Sequence, residues 1–302
     1  MFSGKMHADE VDIDEALVGR LVAAQFPQWA DLAVTKVRSA GTDNAMYRLG
    51  ADMAVRLPRI PDSVRQVAKE NRWLPRLSPH LPLAVPTPLG RGVPGEGFDF
   101  PWSVYRWIEG ENLFDEPVAD LRETALQLGA FVAALQRIDA TGGPFSFRGG
   151  PVSTRDESVR EAIRDLGSDG TVDGDAATAL WEEVLRLPQW QGDPVWVHSD
   201  LLPGNLLGHR GRLSAVIDFG AVGVGDPACD MMAAWSLLSS ETRDLFREAV
   251  DVDDATWARG RGWALCFGLT AEHEYRVTNP VLAAVAHRTV AEALSDHHPH
   301  TA

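Results

Sequence analysis

The chain has 302 residues, of which 45% are hydrophobic and 24% are charged. This composition is typical of a folded globular protein, because it supplies enough apolar surface to offset the entropy lost on folding. Lys and Arg number 28 against 43 Asp and Glu, which gives a net charge of −15. That charge argues against nucleic-acid binding, which depends on basic side chains, and it suits either solubility alone or a small cationic partner.

We expect neither an export signal nor a membrane span. Residues 1–7 contain no apolar run, and the longest apolar stretches, such as 231–238, are too short to cross a bilayer. Cys229 and Cys266 have apolar neighbours, so we expect two buried thiols rather than a disulfide or a zinc site. We therefore expect a cytoplasmic protein without membrane or nucleic-acid partners, either a monomer or a homodimer.

The first third of the chain predicts a strand-rich domain. Apolar residues at helical spacing predict a helix that ends before Pro27. A capping box formed by Ser63 and Gln66 predicts the start of a second helix. The Pro- and Gly-rich stretch 79–101 predicts a surface loop. Strands are predicted at 32–38, 45–49, 53–57 and 102–108. A short Gly-containing hairpin loop is predicted between the second and third of these strands.

The remainder of the chain predicts mostly helices. Helical patterns cover 121–138 and 176–187, and further helices follow Asp226. Between them, 195–217 predicts two short strands that flank a turn. The expected fold class is therefore α+β, with a strand-rich domain at 1–108 and a larger, mainly helical domain at 109–302.

One segment concentrates residues suited to phosphate chemistry. Asp200 and Asn205 flank a Pro-Gly turn, and Asp218 ends an apolar strand 13 residues after Asn205. A short hairpin connects the two strands, so Asn205 and Asp218 are predicted to lie side by side. Amide and carboxylate oxygens suit Mg²⁺, which also takes phosphate oxygens and water. Asp200 would project into the same site and position a hydroxyl against a phosphoryl group.

The order of these motifs resembles a known family. His-Ser-Asp-Leu-Leu-Pro-Gly-Asn at 198–205, Ile-Asp-Phe-Gly at 217–220 and Gly-Asp-Pro-Ala-Cys-Asp at 225–230 are similar to motifs of the aminoglycoside phosphotransferase family. The resemblance implies a two-lobed protein-kinase-like fold, with a small antiparallel-sheet N-terminal lobe that binds nucleotide. The larger helical C-terminal lobe would be catalytic and bind the substrate. It also implies Mg²⁺-dependent transfer of the γ-phosphate of ATP or GTP to a small-molecule hydroxyl.

The resemblance assigns roles by position. Asp200 would be catalytic, accepting or orienting the substrate hydroxyl, and Asn205 and Asp218 would hold the metal. Three further residues, His198, Asp226 and Asp230, are expected to support the loops structurally. Asp226 is followed by a proline, and such an Asp-Pro pair is also a strong helix start.

The resemblance places the nucleotide on the N-terminal lobe. Family members commonly carry a lysine on the strand after the phosphate-covering loop, and here that position is Arg56. An arginine keeps the charge and adds a fork that suits phosphate oxygens. Glu70, on the next helix, is expected to pair with Arg56. The remaining candidates, in the phosphate-covering loop and the hinge strand that meets the nucleobase, are Ser39, Gly41, Thr42, Tyr105, Trp107 and Ile108.

Three alternatives remain. The glycines at 223–228 fit the G-x-G-x-x-A dinucleotide fingerprint, but they do not directly follow a strand and no βαβ series surrounds them. A kinase-fold binding module without catalysis is a second alternative. Arg56 is the argument for it, and the presence of Asp200, Asn205 and Asp218 is the argument against it. The phosphate acceptor is also open, with aminoglycosides as the leading hypothesis and macrolides or small metabolic alcohols as alternatives.

Overall fold

The structure is a computed structural model that describes residues 12–37 and 43–296. Ser39, Gly41 and Thr42, expected in the phosphate-covering loop, lie outside the described residues, as does the N-terminal segment on which the export prediction rests. The chain divides into two compact units. The first comprises Met1–Pro79, Ala84–Glu109 and Ala215–Gly220, and the second comprises His80–Leu83, Gly110–Ser214 and Ala221–Ala302.

The first unit is built on a five-stranded antiparallel sheet with the order β1-β2-β3-β5-β4. The predicted hairpin joins β2 to β3, and its Gly50 has a φ of 60°, in the left-handed region that favours glycine. The strands in chain order are β1 (Val34–Lys36), β2 (Asn44–Leu49), β3 (Met53–Pro58), β4 (Pro88–Gly92) and β5 (Trp102–Arg106).

Two predictions for the first unit are wrong. The stretch 79–101, predicted as a loop, contains β4, and its Pro88 is tolerated because β4 lies at the edge of the sheet. The expected capping box is absent, because helix α2 (Val64–Leu77) follows a 3₁₀ turn. Ser63 therefore has helical backbone angles, φ −76° and ψ −12°, and makes no capping hydrogen bond. An N-cap requires an extended backbone, so the Gln66 side chain turns to other partners.

Helix α1 (Glu15–Gln25) packs its apolar side against the sheet. The helix begins after Asp14, which accepts a hydrogen bond of 2.7 Å from a backbone N–H of the first turn. Leu21 of α1 and Trp102 of β5 belong to one buried apolar cluster with residues of β2 and β3. This cluster fixes the sheet on which Arg56 is placed.

The second unit is mainly helical. Its helices are α3 (Leu121–Gln136), α4 (Asp156–Ser168), α5 (Gly174–Arg186), α6 (Ala228–Met231), α7 (Ala233–Ser236), α8 (Arg243–Val250), α9 (Asp254–Tyr275) and α10 (Pro280–Ser295). Aspartate side chains cap the starts of α3, α5 and α9, which explains where these helices begin. Helix α9 is buried along most of its length and packs against α4, α6 and α10.

Short strands frame the segment that carries the motifs. A two-stranded antiparallel sheet pairs β7 with β10, and a three-stranded sheet has the order β6-β8-β9. The chain passes from the second unit into the first within β9, at Ala215. The strands are β6 (Glu111–Asn112), β7 (Val195–Val197), β8 (Leu206–His209), β9 (Arg212–Val216) and β10 (Gly223–Gly225).

The glycines of the possible dinucleotide fingerprint lie in strand β10. This strand is antiparallel to its partner β7, and a side chain at Gly225 would collide with the backbone of Gly149. A dinucleotide site requires instead a glycine turn between a parallel strand and a helix. The structure therefore contradicts this alternative and gives the glycines a packing role.

The structure tests the predictions for the two cysteines and for a membrane span. Cys229 and Cys266 are free thiols and both are buried, as expected from their apolar neighbours. Burial raises the pKa of both thiols above the ordinary value. Across residues 12–37 and 43–296, the structure contains no helix with the length and apolar character that a bilayer span requires.

Candidate functional site

Four of the predicted site residues meet in the first unit around Arg56. Arg56 lies on β3 between β2 and β5 and is 8% exposed. Its Nη1 donates to Oε1 of Glu70 at 2.5 Å, and its Nη2 donates to Oδ1 of Asp218 at 2.6 Å. The Tyr105 hydroxyl donates to the second oxygen of Glu70, also at 2.5 Å. The lysine position of the resemblance is thus occupied by a guanidinium whose fork bridges two carboxylates.

Burial and charge act in opposite directions in this cluster. Burial raises the pKa of the Glu70 carboxyl, the charge of Arg56 lowers it, and the charge of Asp218 raises it again. For Arg56, burial alone would lower the pKa, but Asp218 and Glu70 outweigh it and raise the pKa above the ordinary value. Burial raises the pKa of Tyr105 as well, so its hydroxyl stays protonated and able to donate. Arg56 is therefore a permanent, fixed cation.

Asp218 differs from its partners because it reaches the solvent. Its side chain is 42% exposed, whereas those of Arg56 and Glu70 are 9% and 2% exposed. The backbone of Asp218 has a φ of 59°, a left-handed conformation that is strained for a non-glycine residue and recurs at functional sites. At the neighbouring Gly220, a Cβ would lie 2.6 Å from Oε1 of Gln66. The local fold thus presents an accessible carboxylate backed by a buried cation.

Gln66 is a member of this cluster that sequence analysis missed. Its Oε1 accepts a hydrogen bond of 3.2 Å from Nη2 of Arg56, and its Nε2 donates to Asp43 at 3.4 Å. Gln66 and Glu70 are four residues apart in α2, which places both on one face of the helix. That spacing is the signal that could have identified Gln66 as a second partner of Arg56.

The expected hinge residues follow β5 directly. The predicted strand 102–108 ends at Arg106, and Trp107 and Ile108 lie beyond it, both half-buried. The guanidinium of Arg48 lies 4.4 Å above the Trp107 ring, and Nε1 of Trp107 is buried with no hydrogen-bond partner in the described chain. Ile108 makes no hydrogen bond to any described residue. Its backbone groups therefore remain able to pair with a ligand.

In the second unit, Asp200 and Asn205 are fixed in one tight turn. The amide nitrogen of Asn205 donates to the carbonyl oxygen of Asp200 and to its Oδ2, both at 2.8 Å. The 3₁₀ turn Pro203–Asn205 brings the two side chains together. Oδ1 of Asn205 has no hydrogen bond within the described residues, so this oxygen can accept a metal ion.

The backbone beside Asp200 is held by Asp230 and His198. Asp230, on α6, accepts hydrogen bonds from the backbone N–H of His198 at 2.8 Å and of Ser199 at 2.6 Å. Nδ1 of His198 accepts from the backbone N–H of Asp200 at 3.3 Å. Ser199 has a φ of 70°, and these bonds keep it in that strained conformation. His198, Ser199 and Asp230 are fully buried.

Burial at this position changes the pKa of Asp230. Burial raises the pKa of its carboxyl to about 7, although the two backbone N–H donors act to lower it. The charge of Asp200 raises the pKa further, and the charge of Arg148 lowers it. Asp230 consequently changes protonation near neutral pH rather than in the acid range of an ordinary aspartate.

Asp226 is engaged in a buried ion pair. Arg259 of α9 donates to it from Nε at 2.8 Å and from Nη2 at 3.1 Å. Asp226 also accepts from the backbone N–H of Ala228 at 2.9 Å, and α6 begins at Ala228, one residue after the expected Pro227. The side chains of Asp226 and Arg259 are each 6% exposed, so this carboxylate joins α6 to α9 within the core.

Arg148 is the contact of Asp200 that sequence analysis missed. Its Nη1 donates to Oδ1 of Asp200 at 2.7 Å and to the carbonyl oxygen of Ser199 at 2.6 Å. Ser146, two residues earlier, shares a hydrogen bond of 2.5 Å with the Ser199 hydroxyl. The loop that carries Arg148 reaches the motif only through tertiary contacts, so the sequence offers no local signal beyond the turn-forming glycines at 149–150.

The sequence matches a family profile and resembles individual known proteins. The profile of the phosphotransferase enzyme family (APH) matches residues 34–263. The uncharacterized protein YcbJ of Bacillus subtilis (strain 168) is 26% identical over 231 residues, which are 71% of this chain and 71% of that protein. An aminoglycoside 3'-phosphotransferase of Escherichia coli is 26% identical over 148 residues, 45% of this chain and 52% of that protein.

Solved structures share the fold. The GDP and kanamycin complex of APH(2'')-IIIa has a TM-score of 0.75 at 19% identity and covers 93% of this chain and 99% of that chain. Macrolide 2'-phosphotransferase MphH from Brachybacterium faecium has a TM-score of 0.60 at 24% identity, with coverages of 93% and 99%. These likenesses confirm the expected α+β protein-kinase-like fold.

The family match extends over well more than half of the sequence, from β1 to the middle of α9. It includes Asp200, Asn205 and Asp218, the three residues whose chemistry first indicated phosphoryl transfer, and also Arg56 at the lysine position of the resemblance. The expectation of a small-molecule phosphotransferase is thereby confirmed. The chain belongs to the phosphotransferase enzyme family.

Proposed function

We propose that this chain transfers the γ-phosphate of a nucleoside triphosphate to a hydroxyl of a small molecule, with Mg²⁺ as cofactor. The observation that carries the proposal is the fixed carboxylate of Asp200, which is 27% exposed while both its oxygens are hydrogen-bonded. Phosphoryl transfer requires alignment and charge neutralisation rather than covalent help from the protein. In this role Asp200 accepts or orients the acceptor hydroxyl.

The first unit supplies groups that suit the nucleotide. Arg56 is a fixed cation that can contact phosphate oxygens, and Glu70 holds it in place. The unpaired backbone groups of Ile108 and the buried Nε1 of Trp107 suit the polar edge of a nucleobase. Ser39, Gly41 and Thr42 are proposed to cover the phosphates. Complexes of similar structures with GDP and with ADP support a nucleoside phosphate as the ligand, and both ATP and GTP are candidate donors.

The donor chemistry of two residues fits Mg²⁺. Asp218 offers an exposed carboxylate, and Asn205 offers an amide oxygen without a hydrogen bond in the described chain. Hard oxygen ligands of this kind, few in number and completed by phosphate and water, suit Mg²⁺. When bound, the ion neutralises charge on the phosphate oxygens. Asn205 keeps its own oxygen available because its nitrogen is occupied by Asp200.

The acceptor is proposed to be an aminoglycoside-like antibiotic. The net charge of −15 attracts a polycation, and the similar proteins include phosphotransferases of aminoglycosides. A macrolide is the second candidate, because macrolide phosphotransferases share the fold. A small metabolic alcohol is the third candidate.

The test is transfer of label from γ-labelled ATP and GTP to kanamycin, erythromycin or choline. The wild type is expected to label at least one acceptor, and Asp200→Asn is expected to reduce the rate by about 100-fold or more. Asp115→Asn, at an exposed aspartate of the same unit, is the matched control and should retain the rate. A folded wild type that labels none of the acceptors would favour the catalytically silent binding module instead.

A further inference from the structure

Arg148 stands out among the charged residues of the second unit because it contacts both the carboxylate and the backbone of the motif. We propose that Arg148 is a positioning residue, whose guanidinium sets the orientation in which Asp200 meets the acceptor hydroxyl. The inference rests on the proposed function of Asp200. Arg148 acts through Asp200 and does not itself need to touch the acceptor.

The Asp200 carboxylate is held at both of its oxygens. Oδ1 accepts from Arg148 at 2.7 Å, and Oδ2 accepts from Asn205 at 2.8 Å. A carboxylate offers roughly four lone-pair sites, so two bonds still leave it able to accept the proton of a hydroxyl. With one of the two donors removed, the carboxylate is free to rotate about its side-chain bonds. Arg148 and Asn205 therefore share the orientation of the carboxylate, Arg148 at Oδ1 and Asn205 at Oδ2.

The same nitrogen of Arg148 also holds the backbone before Asp200. Nη1 donates to the carbonyl oxygen of Ser199, the residue with the left-handed φ of 70° that directly precedes Asp200. Such a conformation costs about 1–3 kcal/mol and persists only where its surroundings enforce it. The hydroxyl of Ser146 and the carboxylate of Asp230 hold the other polar groups of Ser199. Arg148 thus completes the set that fixes the peptide carrying Asp200.

Arg148 itself lies on a loop that is anchored by backbone hydrogen bonds. The backbone N–H of Ser146 donates to the carbonyl of Val224 at 3.1 Å, and the N–H of Asp226 donates to the carbonyl of Gly149 at 2.8 Å. The guanidinium lies 4.6 Å from the centre of the Phe147 ring, which supports its plane. The arginine is therefore in place before any ligand arrives, as a preorganised site requires.

Partial exposure limits what the pair contributes to stability. The side chains of Arg148 and Asp200 are 18% and 27% exposed, so water partly screens the pair, and its loss is expected to cost less than the about 3–5 kcal/mol of a fully buried pair. Because the pair fixes the proposed catalytic carboxylate, its loss is expected to affect turnover as well. The competing hypothesis is that Arg148 blocks Asp200 until the acceptor displaces it. That hypothesis predicts the opposite sign, because loss of the arginine would then raise the rate.

The experiment compares Arg148→Ala and Arg148→Lys with Arg155→Ala in the transfer assay. Arg155 is a matched control, since its guanidinium lies 5.6 Å from the centre of the same Phe147 ring and donates to the Phe147 carbonyl. We expect Arg148→Ala to lower kcat by about 100-fold with the KM for ATP unchanged. Added guanidinium ion should restore part of kcat. Arg148→Lys should keep more activity than the alanine variant, and Arg155→Ala should match the wild type.

Each other outcome refutes the role. An Arg148→Ala variant with unchanged or increased kcat would overturn it, as would a loss that guanidinium does not relieve. If the alanine variant is unfolded, Arg148→Met, which keeps the length of the side chain over Phe147, must show the same loss of kcat at an unchanged Tm. A wild type that transfers no phosphate refutes the proposed function and this role together. An active wild type with an equally active Arg148→Ala refutes this role alone.

Discussion

Replacing Arg56 by methionine is expected to destabilise the chain, because the change leaves Glu70 buried without its cation. Glu70 is 1% exposed, and its Oε1 lies 2.5 Å from the guanidinium. Removing one partner of a buried ion pair typically costs about 3–5 kcal/mol. The second pair of Arg56 adds little, because the Asp218 side chain is 42% exposed and water screens it. We therefore expect a loss of about 3–5 kcal/mol from Glu70 alone.

Urea unfolding of a double-mutant cycle measures this effect. Arg56→Met and Glu70→Gln are studied singly and together, and the double variant is expected to be more stable than Arg56→Met alone because no buried charge is left unpaired. In Arg56→Met, burial already favours the protonated form of Glu70, so the loss relative to the wild type should shrink as pH falls. A loss below about 1 kcal/mol, or single losses that simply add in the double variant, would refute the reasoning.

Two further predictions concern stability. Burial raises the pKa of Asp230 to about 7, so between about pH 4 and pH 7 the folded chain holds a proton that the unfolded chain releases. The wild type should therefore lose stability relative to Asp230→Asn as pH rises through this range. Unfolding free energies across that range check the sign, and a wild type that gains stability relative to Asp230→Asn as pH rises would contradict it. Gly225→Ala should cost about 1–3 kcal/mol by forcing a methyl group against the backbone of Gly149. Its control is Gly19→Ala in α1, where a Cβ meets nothing within 4 Å, and this variant should gain up to about 1 kcal/mol.

The fold class could be predicted because local patterns agree with the tertiary structure. The hairpin of β2 and β3 is marked by its glycine turn, and α3 is marked by its apolar spacing and a capping aspartate. The missed strand β4 contains a proline and two glycines, residues that ordinarily indicate loops, and it forms only because β5 offers an edge for pairing. The capping box failed for a related reason, since a preceding 3₁₀ turn set the backbone of Ser63.

The site residues within the motifs could be found from their spacing, whereas their partners could not. Asp200 and Asn205 lie on one turn, and Asp218 follows β9, the second strand after that turn. Short-range geometry therefore suffices to predict where these residues lie. Arg148 lies 52 residues before Asp200 in a loop without regular structure. Nothing in the sequence near Arg148 indicates a contact at that distance, because the contact depends on how β10 and the loop pack together. Gln66 was assigned to a cap because its position three residues after Ser63 fits a capping box, although its spacing from Glu70 also fits a second partner of Arg56.

Calorimetric titration tests whether this chain binds a Mg²⁺-nucleotide, as the proposed phosphoryl transfer requires. ATP and GTP are titrated with and without Mg²⁺ into the wild type, Asp218→Ala and Asp200→Ala. We expect metal-dependent binding that Asp218→Ala weakens strongly and Asp200→Ala leaves intact, since Asp218, unlike Asp200, is proposed to hold the metal. Binding of neither nucleotide by the folded wild type, or binding that Asp218→Ala does not change, would contradict it.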